Sequence, residues 1–348
     1  MNNNLKEGEL FLKYKSSYQS ALKDLSIHLW FFCYAFYFMW YLKNSWLSVL
    51  PIMLTTLLLN RTFVIFHDCC HNSYTPSKNL NYIISHITGM LVLTSPNWIL
   101  DHHTHHLTNG NLENKQHYFF NETVLLTKQK YMQSSLKSKK IYNFYKDPLL
   151  FFTIIPIIYF GIAQRFIYIL KKYNHTHKYK QTLLEILFNH FLNNISSFYF
   201  LYNIFYYQIF FHYFICFCIS SSISFIMFHN QHTYNPPYVV TNKEWNQRNS
   251  GLLGSSFIQI PNCLKYFYMG IEYHHIHHMN AKIPGYNLQK FHEEVVSKSN
   301  LFDNIIKLSI ADCYNNLWLM LYDETKKKYV TVKEIDDEIL KESIQQCD

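Results

Sequence analysis

Histidine is the residue type whose spacing in this chain could do chemistry. In Asp101-His102-His103-Thr104-His105-His106 four imidazoles occupy five positions. On a helix, positions i, i+3 and i+4 share one face, so His102, His105 and His106 are expected to converge on one point while His103 points roughly 100° away. The same spacing returns as His274, His277 and His278 in Glu272-Tyr-His-His-Ile-His-His, with His275 in the outlying position. A shorter i, i+4 pair, His67 and His71, sits in His-Asp-Cys-Cys-His. With 20 His in 348 residues a given three-His spacing arises by accident roughly 0.07 times, so two copies plus the short pair are a specific signal. Imidazole suits Fe, Zn, Cu and Ni alike. Eight converging ligands exceed what one tetrahedral ion takes and favour two adjacent ions.

The elements that must position these boxes are apolar. Phe and Tyr number 29 each, aromatics make up 18% and charged residues only 16%. The mean hydropathy of −0.12 is pulled down by Tyr, Asn, Lys and His, and the local runs carry more information than the mean. Eight cysteines without a CxxC spacing indicate reduced thiols rather than a disulfide framework or a zinc ribbon. The net charge of +8 comes from lysines spread over loops and flanking apolar runs, which fits attraction to a membrane surface and gives no reason to expect a nucleic-acid partner. No cleavable signal peptide is expected from Met-Asn-Asn-Asn-Leu-Lys-Glu.

In chain order, residues 1–26 read as an interfacial segment. Residues 27–42 and 46–66 read as a transmembrane hairpin whose second arm runs into His67. Residues 82–93 must stay on one side, because the first two boxes share a centre, and are expected as an interfacial helix. Lys171, Lys172, Lys178 and Lys180 hold the stretch before residue 191 on the cytosolic side, so 191–208 and 209–228 form the second hairpin. Residues 149–170, broken by Pro156 and Gly161, are then interfacial or re-entrant. Residues 301–321 are expected to form a helix on the catalytic cap, and 322–348 a charged tail. The expected fold is therefore an all-α membrane protein: two transmembrane helical hairpins and a cytosolic helical cap, with residues 27–321 as one domain holding a His-ligated pair of metal ions.

Three His boxes around two hairpins resemble the membrane fatty acid desaturases. The likeness extends through Arg61-Thr-Phe-Val-Ile-Phe-His-Asp-Cys-Cys-His, Gly110-Asn-Leu-Glu, Gly254-Ser-Ser-Phe, His274-His-Ile-His-His-Met-Asn-Ala-Lys-Ile-Pro-Gly-Tyr and Leu319-Met-Leu-Tyr-Asp-Glu to the acyl-lipid branch found in bacteria, over about residues 15 to 330. Departures are Cys70 and Glu272 where the family carries glycine, and Asp101 where it carries a basic residue. Asp101 and Glu272 read either as carboxylates accepting Nδ1–H from a ligand histidine or as solvated charges.

The resemblance implies two iron ions, O2 as co-substrate, and two electrons from an external donor, cytochrome b5 or ferredoxin with its reductase. It implies a cis double bond introduced into a lipid acyl chain, carried as acyl-lipid or acyl-CoA. It also implies a multi-pass location with the site facing the cytosol, in the endoplasmic reticulum membrane of a eukaryotic host. A hydroxylase or ketolase on the same scaffold is the nearest alternative. A His-rich metal transporter would place ionisable residues inside the spans, and here the boxes lie outside them. No His-Pro-Gly-Gly is present, so electrons are expected from a separate protein.

Two six-coordinate irons with room for O2 can use about nine protein nitrogens, one more than the boxes supply. His86, His117, His175, His177, His190 and His292 have no directional argument, and His28 and His212 fall at the wrong or an uncertain side. Asn230-Gln231-His232 aligns with a Gln-His pair of the resembling family, which selects His232 as ninth ligand. His229, one turn earlier, is expected at a water-bridged position. The expected ligand set is His67, His71, His102, His105, His106, His232, His274, His277 and His278.

Overall fold

The computed structural model describes residues 7–113, 125–165 and 182–345. Its framework is helical: α1 (Glu7–Lys13), α2 (Tyr18–Tyr41), α3 (Val49–Cys70), α4 (Lys78–Leu91), α5 (Ile99–Thr108), α6 (Leu136–Tyr145), α7 (Pro148–Ile158), α8 (Leu183–Tyr206), α9 (Phe210–His232), α10 (Gln247–Leu253), α11 (His274–Met279), α12 (Gly285–Lys298), α13 (Ile310–Asn316) and α14 (Val332–Gln345). Starts are set by side-chain caps, with Ser17 accepting from the Ser20 N–H before α2 and Ser77 from Leu80 before α4. Thr182 and Glu185 form a reciprocal capping box at α8.

The core lies between α3, α7 and α9, where Leu58, Leu59, Phe66, Phe151, Phe152, Phe217 and Phe225 are buried together. A buried ion pair joins α2 to α3. Arg61 donates to Asp24 and to the Tyr266 carbonyl and lies over the Tyr266 ring, while the Tyr74 hydroxyl donates to Asp24 at 2.9 Å. Arg61 thus finds both a counter-charge and an acceptor inside an apolar wall, without which its burial would be costly.

Residues 46–70 and α9 are long and apolar enough to cross a membrane. Two bent pairs pass the same test as units: α4 with residues 96–108, at 103°, and α6 with residues 148–163, at 74°. The expected spans 27–42 and 191–208 fall within α2 and α8, each of 24 residues, but Tyr, His and Asn lower their hydropathy and neither is in that pair. Residues 82–93 fall largely in α4, and 149–165 in α7 and a π-helical turn at Tyr159–Ala163. Lys171, Lys172, Lys178 and Lys180, on which the sidedness of the second hairpin rested, lie outside the described residues.

Two expectations for the C-terminal part need correcting. Residues 301–321 are not one helix, because the capping box of Ser309 and Asp312 starts α13 only at Ile310, and β4 (Leu319–Asp323) follows it. Residues 322–345, expected as a charged tail, are folded. β4 pairs in parallel with β1 (Leu126–Thr127) and antiparallel with β5 (Lys328–Thr331), and α14 buries Ile335 against them. A second pair, β2 (Phe257–Ile258) and β3 (Lys307–Leu308), lies beside the third His box, where the Ile258 N–H donates to the Glu272 carbonyl. The body of the protein stays helical, with these short strands at its margin.

Candidate metal centre

α3 carries the first box at its end. His67 lies in the last turn and His71 is the C-cap, after which Asn72 takes a left-handed φ of 54° and turns the chain away. α5 carries the second box, α9 ends on His232, and α11 carries the third. The turn before α11 passes through Gly270 at φ 84°, where an added Cβ would stand 2.3 Å from the Gly285 carbonyl oxygen. Only glycine lets the two chain segments approach so closely there.

All nine predicted histidines are buried, and the structure brings them together. Four Nε2 atoms close a ring: His105 to His232 at 3.1 Å, His232 to His274 at 3.0 Å, His274 to His278 at 3.1 Å and His278 to His105 at 3.2 Å. A second set runs from His67 to His102 at 2.9 Å, to His106 at 3.0 Å and to His277 at 3.0 Å. The His67 and His277 ring centroids are 4.4 Å apart, and His71 stands over all four rings at 4.7, 5.0, 5.1 and 4.9 Å. The two sets touch where His106 stacks on His278 at 4.2 Å.

Hydrogen bonds cannot satisfy all of these contacts, because each Nε2 carries either one proton or one lone pair and most face two other Nε2 atoms. The Asp68 carboxylate accepts the Nδ1–H of His67 at 3.0 Å, and the Gly254 carbonyl accepts that of His232 at 2.9 Å. Each of those rings therefore presents a bare Nε2 lone pair to other imidazoles. Burial, reinforced by neighbouring imidazoles, holds His102, His105, His106, His274, His277 and His278 well below the usual histidine range, so they are neutral. Facing lone pairs repel unless a cation lies between them. Nitrogens about 2.1 Å from one ion stand about 3.0 Å apart at right angles and about 3.4 Å apart at the tetrahedral angle. The observed spacings are short enough for neighbouring nitrogens to share one ion, and the orphaned, buried Nε2 of His71 would be a further donor to it. The residues fit a pair of metal ions.

One expectation is corrected. His102, His105 and His106 do not converge on one point, because His102 and His106 join one set and His105 the other; likewise His274 and His278 join one set and His277 the other. At 100° per residue, i and i+4 differ by 40°, whereas i+3 and i+4 differ by 100°, so each helix presents its face to the seam between two ions. His229 is also displaced from its expected position: its Nε2 donates to the Asn316 carbonyl at 3.0 Å and its ring packs on Phe152. It lies 60° round α9 from His232, far enough to meet Phe152 and the Asn316 carbonyl instead of the imidazole cluster.

Among the remaining histidines, His103 is exposed and outside both sets, and His275 packs against Phe302 and His292. His28 bonds Thr62 and His212 the Lys43 carbonyl, whereas His86 packs on Tyr82. His190 is buried in α8. His117, His175 and His177 lie outside the described residues.

Sequence reasoning missed Asp68. It is buried, holds His67 and accepts the Gly285 N–H at 2.6 Å, so one carboxylate ties the first box to the segment after the third. Its position inside the first box was the available signal. Asp101 stands in the first turn of α5, where a negative charge complements the helix N-terminus. Cys70 packs beside Ile99, Leu100 and Ile186.

Glu272 is buried with no side-chain hydrogen-bond partner, and burial pushes its carboxyl up to about 7 from 4.5. The protonated form is favoured on folding, so the stability it contributes is complete below pH 4.5 and is lost as pH rises through about 7, by about 3 kcal/mol. In metal-free protein Glu272→Gln is therefore expected to raise the melting temperature at pH 8 and leave it unchanged at pH 4.5. Equal melting curves at pH 8 would refute this.

An apolar cleft leads to the centre. It has a volume of about 70 Å³, is walled by Phe63, Trp98, Phe160, Ile223, Phe225 and Phe228, and touches His67, His102 and His274. Trp98 stacks on His102 at 4.4 Å. A second, small void of about 10 Å³ shares Phe63, Phe160 and Ser224 with it and is otherwise lined by Leu59, Val92, Phe217, Ser220 and Ser221.

The family model for fatty acid desaturases matches residues 44–301, most of the chain. The chain belongs to the fatty acid desaturase family. A fatty acid desaturase of Bacillus subtilis (strain 168) is 30% identical over 322 residues, covering 86% of this chain and 83% of the relative. Shorter stretches match a sn-1 acyl-lipid omega-3 desaturase (ferredoxin) of Synechocystis, 33% identical over 24% of this desaturase and 22% of the relative, and an endoplasmic reticulum omega-3 fatty acid desaturase of Vigna radiata, 42% identical over 15% and 14%.

Proposed function

We propose that this desaturase introduces a cis double bond into a lipid acyl chain, with O2 as oxidant and two electrons from a separate donor protein. The observation that carries the reading is an apolar cleft that reaches three of the clustered histidines, His67, His102 and His274. Two irons, when bound, supply the O2 activation needed to take hydrogen from an unactivated CH2. The nine imidazoles His67, His71, His102, His105, His106, His232, His274, His277 and His278 are the proposed ligands, five around one iron and four around the other. Asp68 and the Gly254 carbonyl fix the tautomers that leave Nε2 free. Phe63, Trp98 and Phe160 exclude water and confine the chain. The balance is one CH2–CH2 unit, O2, two electrons and two protons giving one CH=CH unit and two waters.

The substrate is proposed as an acyl-lipid, after the branch that the boxes resemble and the Synechocystis relative's name. That name also makes ferredoxin one candidate donor, with cytochrome b5 the other. We place α2, α3, α8 and α9 across the membrane as two hairpins with the boxes on the cytosolic side. In support, α2 exposes Trp30, Tyr34, Tyr37 and Tyr41, and α8 exposes Phe191, Phe198, Tyr202 and Phe205, faces that lipid would cover.

The test is expression in a host of simple lipid profile with a compatible donor, followed by gas chromatography of fatty acid methyl esters. A new unsaturated ester is expected. Unchanged lipids despite full iron loading would count against the reading, and a hydroxylated ester would move it to a hydroxylase.

A further inference from the structure

The cleft contains a polar node that the metal centre does not use. α3 lines the cleft with Asn60, Phe63, Val64 and His67, the i, i+3, i+4 and i+7 positions of one helical face. Asn60 therefore lies about 10 Å from His67 along α3. Its Oδ1 accepts from the Ser220 hydroxyl of α9 at 2.9 Å, whereas its Nδ2 is buried with no partner. Ser220 lines the smaller void, so the pair sits where the two voids adjoin, next to the Phe63 and Phe160 rings, which meet edge to face at 5.3 Å. An amide donor left unpaired in an apolar wall is destabilising by about 1–3 kcal/mol. A saturated chain filling the cleft would leave it so.

We infer that Asn60 determines specificity by recognising a hydrogen-bond acceptor on the acyl chain, either the π face of an existing double bond or an oxygen, about 10 Å along α3 from the His67 end of the cleft. The proposal rests on the desaturase reading for the identity of the chain. A saturated methylene at that depth offers the amide nothing. An N–H facing a π bond gains weakly, and one facing a hydroxyl or keto oxygen gains more. The serine anchors the carboxamide so that the NH2, and not the carbonyl, remains for the chain. Were the pair merely a link between α3 and α9, removing it would weaken the fold but would not change which chain is preferred.

The experiment offers the iron-loaded, full-length protein a saturated acyl chain, its monoenoic positional isomers and hydroxylated analogues of equal length. Displacement of a fluorescent acyl probe and product formation are followed in parallel. One position of the double bond or hydroxyl is expected to bind roughly three- to tenfold better than the saturated chain. Asn60→Leu is expected to flatten that profile while still binding the saturated chain. If the leucine variant does not fold, Ser220→Ala, which releases the carboxamide, is expected to reduce the preference at least twofold. A flat wild-type profile, as when water satisfies the amide, or a profile unchanged in the variants would overturn the inference. Binding preference without product on any chain would keep it and overturn the desaturase reading. Product with a flat profile would do the reverse.

Discussion

His105→Ala and His277→Ala are each expected to remove at least one of two irons per chain and to bring product below detection, while His103→Ala keeps both irons and measurable turnover. His105 stands 3.1 and 3.2 Å from two partners in the closed ring, and His277 is 3.0 Å from His106 in the other set. Loss of either opens a coordination polygon that no described neighbour can refill, because His103 is exposed and His275 is packed against Phe302. Iron analysis of the purified variants, beside methyl ester profiles, reads both effects. If His103→Ala lost iron as completely as the other two, the division into ligands and bystanders would fall.

Asp68→Asn is expected to weaken iron retention or turnover by roughly ten- to a hundredfold, the usual effect of removing a carboxylate behind a ligand histidine. One oxygen of Asp68 accepts from His67 Nδ1 and the other from the Gly285 N–H at 2.6 Å. An amide offers one acceptor and turns an NH2 towards a donor, so one of the two contacts must break. Iron remaining after a timed chelator challenge measures the effect. Retention equal to wild type would show that the carboxylate does not orient the ligand.

Much of the centre was legible because helical phase is written into residue spacing. Boxes at i, i+3 and i+4 had to show three imidazoles on one side of a helix, and the family resemblance pointed to His232, which the structure places beside His105 and His274. The division between two sets was not legible. His105 and His106 are adjacent in sequence and go to different sets, which depends on how α5 is rotated against α9 and α11. Asp68 was hidden for a related reason, since its second partner, Gly285, is 217 positions away and reaches it only through tertiary packing. The helices were legible from their apolar runs, but their crossings less so. Among the described residues, the single helical stretches that length and composition pick out are residues 46–70 and α9, because the Asn and Tyr of α8 depress its hydropathy while its phenylalanines still face outward. The β4–β5 hairpin and α14 were missed because charged residues alternate with the few that are buried, Val330 and Ile335 among them.

Neither set of nitrogens is complete until residues 277 and 278 join residues that precede them by far. The first set needs His67, His71, His102 and His106 from early in the chain together with His277, and the second needs His105 together with His232, His274 and His278. At about 5–20 residues per second, the ribosome spends roughly 10–35 s between making His106 and His278. During that interval five imidazoles are already present on the nascent chain without the rest of either polygon. A metal pair held by all nine imidazoles would thus be completed only after synthesis of the third box and docking of the segment that carries it.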